Sequence, residues 1–557
     1  MADSRATEVL EDYDRLKGAR GTWEQHWQEV AERVWPSMAE MTGWRTPGEK
    51  RSEKIFDSTA QRALPRFAAA MDSMLTPATQ VWHGLHTGIP ELDENVAVQR
   101  WCDALRDVLF RQRYAPTANF ASQAFECYMS LGAFGTSCLF IDEIPGVTLR
   151  YRAIPLSELV IDLDHSGRVD TVYRCFTLTA RQAMQIPGWE EKLPRGIKSA
   201  AASRGNDMFE FVHCVKPNGD YRQGRAGPEG MQFVSRYVAR EGSVLLQDGG
   251  YRVQPYAVGR YVTGPREIYG RSPAMEALAD IKSLQEMEKT MLRMAHRMVD
   301  PPLILSEEGA INAFSVRPNA LNYGYLREDG TPLVQPLMTG GNLPIGIEMS
   351  DQKRKAVNDS FLVTLFQILV ESPRVMTATE VLQRAQEKGA LLGPTMGRQQ
   401  SEFLGPIIER ELDLLSASGM LPEPPPQLLE YVVAGGEILP KYTGPLARLM
   451  RAEEAAGILR TIEAILPVAQ ASGDMKVLRR INADQAVKVI AEANNVPAKA
   501  LRTDEELAAM DMAEQEAAQM QQLLAAAPIA GQAAERFARA EQIAASVPRR
   551  EVMGVFQ

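Results

Sequence analysis

Few residues in this chain could run chemistry. Its 557 residues include six histidines and five cysteines. No H-E-x-x-H or C-x-x-C pattern orders them, so neither a zinc-hydrolase helix nor a redox pair is expected. A G-x-x-x-x-G-K-[ST] phosphate loop is missing, which argues against a nucleotide-driven motor. A G-x-S-x-G elbow is missing too, and Gly132-Ala-Phe-Gly135-Thr-Ser137-Cys reads as a tight helix-to-strand turn. His83 and His86 stand three apart and read as an ordinary polar turn rather than a metal pair. His213 and Cys214 are adjacent on a strand pattern and face opposite ways, so they cannot chelate one ion from it. The cysteines (Cys102, Cys127, Cys138, Cys175, Cys214) read as buried thiols of a reducing compartment. With 71 acidic residues, no carboxylate pair stands out. No catalytic residue, metal or cofactor is expected.

Long apolar runs are also missing, so no membrane span is expected, and residues 1–18 have no apolar stretch of the secretory kind. Positive charge is in deficit: the formal net charge is −10. That is the wrong sign for tight wrapping of nucleic acid through phosphate neutralisation. A protein that must let DNA slide past would gain from such a surface.

What is present is organisation. The length calls for two or three domains. Residues 1–135 read as helices: Trp23, Trp27, Val30 and Val34 follow three–four spacing and Trp35-Pro36 closes the run. Phe56–Leu75 is helical in pattern with an interruption expected at Pro65, and Asn95–Arg113 and Asn119–Leu131 follow. From Cys138 to about Thr263 short alternating runs predict antiparallel strands, with a short helix at Thr179–Gln185 and a mobile loop over 190–207.

The most distinctive stretch begins at Tyr269. Gly270-Arg-Ser-Pro273 leads into a helix whose Ala274, Leu278, Ile281, Leu284, Met287, Met291, Met294 and Met298 recur at steps of three or four. Asp300-Pro301-Pro302 stops it. A compact Pro/Gly-punctuated knob over 301–349 follows, and a second amphipathic helix is expected over 350–369, carrying Val357, Phe361, Leu362, Leu365, Phe366 and Leu369. The Met stripe reads as a helix–helix packing face rather than a partner surface. Lys353-Arg354-Lys355 suits either phosphate contact or a solvated first turn. After a break over Val370–Met376, the capping box Thr377-Ala-Thr-Glu380 opens a helix running towards Ser418, with bends expected at Gly393-Pro394 and Gly405-Pro406. A stiff Pro-rich linker over 421–426 and one strand-like run at Glu437–Tyr442 follow. The remainder is Ala/Glu/Gln-rich and helical in pattern, with Ile458, Ile462 and Ile465 on one stripe.

Several segments together resemble one family. Ile268-Tyr-Gly-Arg-Ser-Pro-Ala-Met-Glu-Ala-Leu, the helix into Asp300-Pro-Pro-Leu-Ile, Met376-Thr-Ala-Thr-Glu-Val, Tyr442-Thr-Gly-Pro-Leu-Ala-Arg, and Phe56-Asp-Ser-Thr-Ala with Ser73-Met-Leu-Thr-Pro are similar to segments of the portal, or head-to-tail connector, proteins of short-tailed, podovirus-type bacteriophages. Each is weak alone, but their order spans nearly the whole chain. The resemblance implies an α+β, mainly helical portal fold assembled as a ring: a wing (1–268 and 377–440), a two-helix stem (269–299 and 350–369), a clip (300–349), a tunnel loop (370–376) and a helical crown with a C-terminal tail (441–557). It further implies a dodecamer at one capsid vertex of the virion, built in the host bacterial cytoplasm. Its partners would be the major capsid and scaffolding proteins, the terminase large subunit, tail adaptor proteins and the double-stranded DNA passing through. On that basis Lys353, Arg354, Lys355, Glu371 and Arg374 are candidates to face the channel, with Glu371 tempering the Arg374 ring. Arg327, Glu328 and Asp329, at an Arg-Glu-Asp-Gly turn, are clip contact candidates or a plain solvated hairpin tip. Another neck or adaptor ring protein is the alternative; a soluble enzyme is the remote one.

Overall fold

The computed structural model describes residues 3–363 apart from 44–45, 47, 144–148, 226 and parts of 306–342, then 393–444, 457–465 and scattered residues from 467 to 518. Helices α1 (Ser4–Ala19), α2 (Gly21–Val34) and α3 (Thr59–Leu75) come first. Strand β1 (His83–His86), the turn-like α4 (Pro90–Asp93), and helices α5 (Val96–Arg113) and α6 (Phe120–Phe134) follow. The expected interruption at Pro65 does not occur, and α3 runs through it. Proline removes one helical hydrogen bond there, but Ala63, Leu64, Phe67, Ala68 and Met71 around it are all buried and hold the helix in the core.

Strands β2 (Thr136–Asp142) and β3 (Arg150–Ala153) form an antiparallel sheet with β9 (Tyr256–Arg260), in the order β3-β2-β9. A second, antiparallel sheet orders β4 (Leu159–Leu163), β5 (Val169–Thr179), β6 (Met208–Pro217), β7 (Phe233–Ala239) and β8 (Val244–Tyr251) consecutively. Its two faces are covered differently, as strand alternation requires. Val212 and Cys214 of β6 meet Val9, Leu10 and Tyr13 of α1, whereas Phe211 meets Trp189 and the helices α7 (Ala180–Met184) and α8 (Arg195–Ser203). The region expected as a mobile loop therefore contains α8. The fully buried Ile197 docks it together with the partly buried Ala200 and Ala201, and alanines at three–four spacing are too small to mark an apolar face in the sequence.

After β9 come the one-turn α9 (Pro273–Glu276) and α10 (Leu278–Val299), the hairpin strands β10 (Leu303–Leu305) and β11 (Val334–Pro336), and α11 (Leu343–Ser360). α11 begins seven residues before the expected Ser350. Pro344 falls in its first turn, where the missing N–H costs nothing; read from sequence, that proline looks like more of the knob. A helical stretch over 393–399 passes through a π-helical turn, Gln400–Leu404, into α12 (Gly405–Ala417). The irregularity expected at Gly405-Pro406 thus takes a definite form, since a π turn is one way a helix absorbs local mismatch. Helix α13 (Pro426–Val433) precedes β12 (Leu439–Tyr442), which pairs antiparallel with β1. The capping box at 377–380 and the break over 370–376 lie outside the described residues, as does most of the C-terminal region; Gly393-Pro394, expected as a bend, opens the helical stretch over 393–399. Residues 457–465, carrying the Ile458, Ile462 and Ile465 stripe, are helical.

One buried cluster joins α2, α3, α5, α6, the three-stranded sheet, α12 and the roots of α10 and α11. Its centre is ionic. Arg113 donates from Nε to Glu411 Oε1 at 2.8 Å and from a second nitrogen to Oε2, with both side chains fully buried. Tyr151 donates to the same carboxylate at 2.6 Å, and the guanidinium lies 4.5 Å from the Trp82 ring centroid. His83 is not in a polar turn: it is a buried strand residue whose Nε2 faces Arg113 Nη1 at 2.9 Å.

Candidate functional site: the helix pair and its hairpin

The helix pair grows out of the body through residues that each have a local task. Tyr269 is buried against Trp27 and Trp23, with centroids 5.0 and 5.9 Å away, and its hydroxyl accepts from the Ile161 amide at 3.3 Å. Gly270 lies against Gly135: a Cβ on either would come within 2.4 Å of the other's carbonyl oxygen. Ser272 caps the next turn, its Oγ accepting from Met275 N at 3.0 Å and donating to Ala133 O at 2.8 Å. Pro273 then occupies the first helical position, as its fixed φ favours. The Gly-Arg-Ser-Pro lead-in is thus welded to the core.

Burial decays with distance from that weld. On α10, Leu278, Ile281, Leu284 and Gln285 are buried, Met291 and Met294 are half-buried, and Met298 and Val299 are 57% and 87% exposed. On α11, Val357 is fully buried, whereas Ile345, Ile347 and Met349 stand about half in solvent. The Met stripe therefore packs against α11 over part of its length and leaves an apolar far end. The hairpin adds exposed Ile304, Leu305, Leu321, Tyr323 and Leu326 to that end. So much clustered apolar surface is uncommon on a chain that works alone.

The basic triad lies at the junction of the third and fourth turns of α11, not in a first turn, because the helix starts earlier than expected. Arg354 is held by three carboxylates: Asp57 at 2.9 Å, Glu288 at 2.6 Å and Asp351 at 2.8 Å. Burial alone would raise the Asp57 pKa, but hydrogen bonds from Thr59 and from Arg354 outweigh it and hold the carboxyl below its ordinary range. Lys353 pairs with Asp280 at 2.7 Å. Lys355 is exposed, and no carboxylate among the described residues pairs with it. Glu371 and Arg374 lie outside the described residues. At the hairpin tip, Arg327 N donates to Thr331 O and Gly330 N to Arg327 O, both at 2.9 Å, so the Arg-Glu-Asp-Gly turn is a true reverse turn. Asp329 accepts from Thr331 N at 3.0 Å and Oγ1 at 2.6 Å, which lowers its pKa.

Gln285, Asp57 and Glu288 were not singled out from the sequence. One signal was there: a glutamine interrupting the apolar face of α10 one residue after Leu284. Elsewhere, all five cysteines are unpaired, and burial pushes the Cys102 thiol up to about 11 and Cys127 well above its usual range, which makes poor nucleophiles. Among the described residues no three His, Cys, Asp or Glu side chains come together as a metal would require, and no helix is long and apolar enough to cross a membrane. The arrangement offers held surfaces and fixed charges.

Comparison with known proteins agrees with that reading. Residues 6–501 match the family model described as bacteriophage head to tail connecting protein. The chain is 29% identical over 452 residues to a probable portal protein of Bordetella phage BPP-1, covering 80% of each. It is 23% identical over 547 residues to the portal protein of Salmonella phage epsilon15, covering 97% of each, and 23% identical over 514 residues to that of Enterobacteria phage T3, covering 85% of this chain and 86% of the relative. A family match running through both helical segments, both sheets and the helix pair leaves one assignment: the chain belongs to the bacteriophage head to tail connecting protein family.

Proposed function

We propose that this protein is a portal: copies of it assemble as a ring, a dodecamer, at one capsid vertex, through which double-stranded DNA enters during packaging and leaves during ejection. The family match carries this reading. The apolar far end of the helix pair supports it, because neighbouring copies in a ring would cover surface that one copy leaves in water. The body over 1–268 and 377–440 would be the wing, α10 and α11 the stem, the hairpin the clip and the C-terminal region the crown. The terminase large subunit would dock from outside and supply ATP hydrolysis; tail adaptor proteins would follow it, and capsid and scaffolding proteins would hold the ring from within. The role is structural and positional rather than enzymatic.

Each copy adds ten net negative charges to the ring, so a duplex would be centred by sparse cations rather than gripped. Lys353 and Arg354 have carboxylate partners within their own subunit. That leaves Lys355, and Arg374 tempered by Glu371, as the better channel candidates. Arg327, Glu328 and Asp329 would make contacts at the clip tip.

Imaging of the purified full chain tests the reading: rings with a central opening wide enough for a duplex are expected, and compact single copies refute it. Packaging reactions with Lys355→Ala and Arg374→Ala rings test the charge assignment. Altered DNA retention with intact rings supports it; unchanged packaging and retention remove those residues from the channel.

A further inference from the structure

Beyond the root of the helix pair, packing does not fix where the pair points. Past Gln285, α10 has no buried residue. On α11, one turn beyond Arg354, Ser350 is fully buried, but its hydroxyl has no hydrogen-bond partner, so this contact is weaker than its burial suggests. What does tie the pair to the body is a polar knot around Asp57, two residues ahead of α3. Gln285 Oε1 accepts from Phe56 N at 2.6 Å and from Asp57 N at 2.9 Å, while its Nε2 donates to Asp57 O at 2.8 Å. Arg354 donates from Nε to Asp57 Oδ2 at 2.9 Å, and Thr59 N donates to the other carboxylate oxygen at 2.7 Å. One helix of the pair therefore holds the backbone of Asp57 and the other holds its side chain. Asp57 cannot follow either helix without the other. Gln285 is only 4% exposed, so water does not compete for these bonds, and Arg354 spans from Asp57 to Glu288 on α10 at 2.6 Å.

We propose that the Asp57–Gln285–Arg354 knot is a latch: it sets the angle at which the helix pair leaves the body, and opening it lets the outer part of the pair reorient about Leu284 and Val357 while the body stays folded. The latch belongs to the single chain, so its success or failure is separable from the ring reading. An event that pulls on the hairpin end is transmitted through the knot to α3, and one that shifts α3 is transmitted outward. Other ties near the root are exposed pairs such as Lys353–Asp280 and Lys282–Glu29, which hold little.

The test is amide hydrogen exchange, followed by mass spectrometry, on the full-length protein and on Gln285→Leu and Arg354→Met, which keep side-chain volume and remove the bonds. Peptides covering 286–299 and 343–353 are expected to exchange at least about tenfold faster in either variant, since Gln285→Leu removes three neutral hydrogen bonds and Arg354→Met three charge-assisted ones. Peptides from α3, α6 and β2 should be unchanged. Unchanged outer peptides in the folded variants overturn the latch, as does uniform acceleration everywhere, which would make the knot ordinary core. Asp57→Asn keeps the backbone grip and weakens only the charged bond; it should give a smaller effect confined to the same peptides, and no effect there would also overturn the proposal. Lys353→Met should leave exchange as it is; an effect as large as that of Arg354→Met would show that the knot is not special.

Discussion

Consider removing Glu411. Its carboxylate takes two hydrogen bonds from Arg113 and one from Tyr151, and both members of the ion pair are fully enclosed. Glu411→Gln preserves volume but leaves the Arg113 guanidinium between Trp82, Phe110 and Phe120 with no counter-charge. The neighbouring His83 cannot supply one, since an imidazole is neutral or cationic and never anionic; burial, and then the Arg113 charge itself, keep it neutral. Breaking a buried pair from one side costs about 3–5 kcal/mol, and Arg113→Met should fall in the same range for the opposite reason. The double change Arg113→Met/Glu411→Leu strands no charge; it loses only the Tyr151 and His83 hydrogen bonds, at about 1 kcal/mol each. The double variant is therefore expected to be more stable than either single, with an interaction energy of several kcal/mol in a double-mutant cycle. Urea unfolding followed by tryptophan fluorescence reads this directly, because Trp82 lies over the guanidinium. Additive single effects, or singles costing under about 1 kcal/mol, would refute the reasoning.

Gly135→Ala should destabilise the protein by at least about 2 kcal/mol in thermal or urea unfolding: φ is +74° there, the left-handed penalty alone is about 1–2 kcal/mol, and the new Cβ would meet the Gly270 carbonyl. Ser272→Ala removes a helix cap and a buried donor to Ala133 O, so a loss of about 1–2 kcal/mol is expected in the same assay. Stability should also fall with acid earlier than carboxylates alone would dictate. His83 and His213 are both buried, His213 with its pKa lowered to about 3 by burial first and then by Arg174. A depressed histidine leaves the unfolded chain binding more protons below about pH 6.5, so stability is full above that value. It declines as pH falls towards the folded pKa, by up to about 1.4 kcal/mol per pH unit per group. Equal unfolding midpoints at pH 7 and pH 5 would contradict this.

The sequence made legible whatever repeats. The three–four spacing of Trp23, Trp27, Val30 and Val34, the alternation in β5, β6 and β7, and the lead-in at Ser272-Pro273 all correspond to observed elements. Strands β4, β8 and β9 lie within the region expected as antiparallel sheet but carry weaker patterns of their own: β4 and β9 are short and β8 contains two glycines, and such strands owe their form largely to the neighbours they pair with. The charges on α11 show the same limit. Lys353, Arg354 and Lys355 are one block in sequence. Helical geometry turns them in different directions, towards Asp280, towards Asp57 and Glu288, and into solvent. Asp351 is a local partner of Arg354, three residues back, but Asp57 lies 297 residues away, and no local rule connects those two.

The π-helical turn at Gln400–Leu404 has a consequence for chain length. Gly405 N reaches back five residues to Gln400 O, and Tyr442 donates to that same oxygen at 2.7 Å. The turn therefore carries one residue more than an α-helix would need to cover the same path. Deleting any one of those five residues would leave a regular helix that folds locally. It would also rotate everything ahead of it by about 100° against α12. Gln399 would then lose the Arg260 carbonyl that its Nε2 now meets at 2.7 Å. When this chain is aligned with relatives, a one-residue gap at this turn would mark a change of phase between two packed surfaces, and substitutions facing β9 should accompany it.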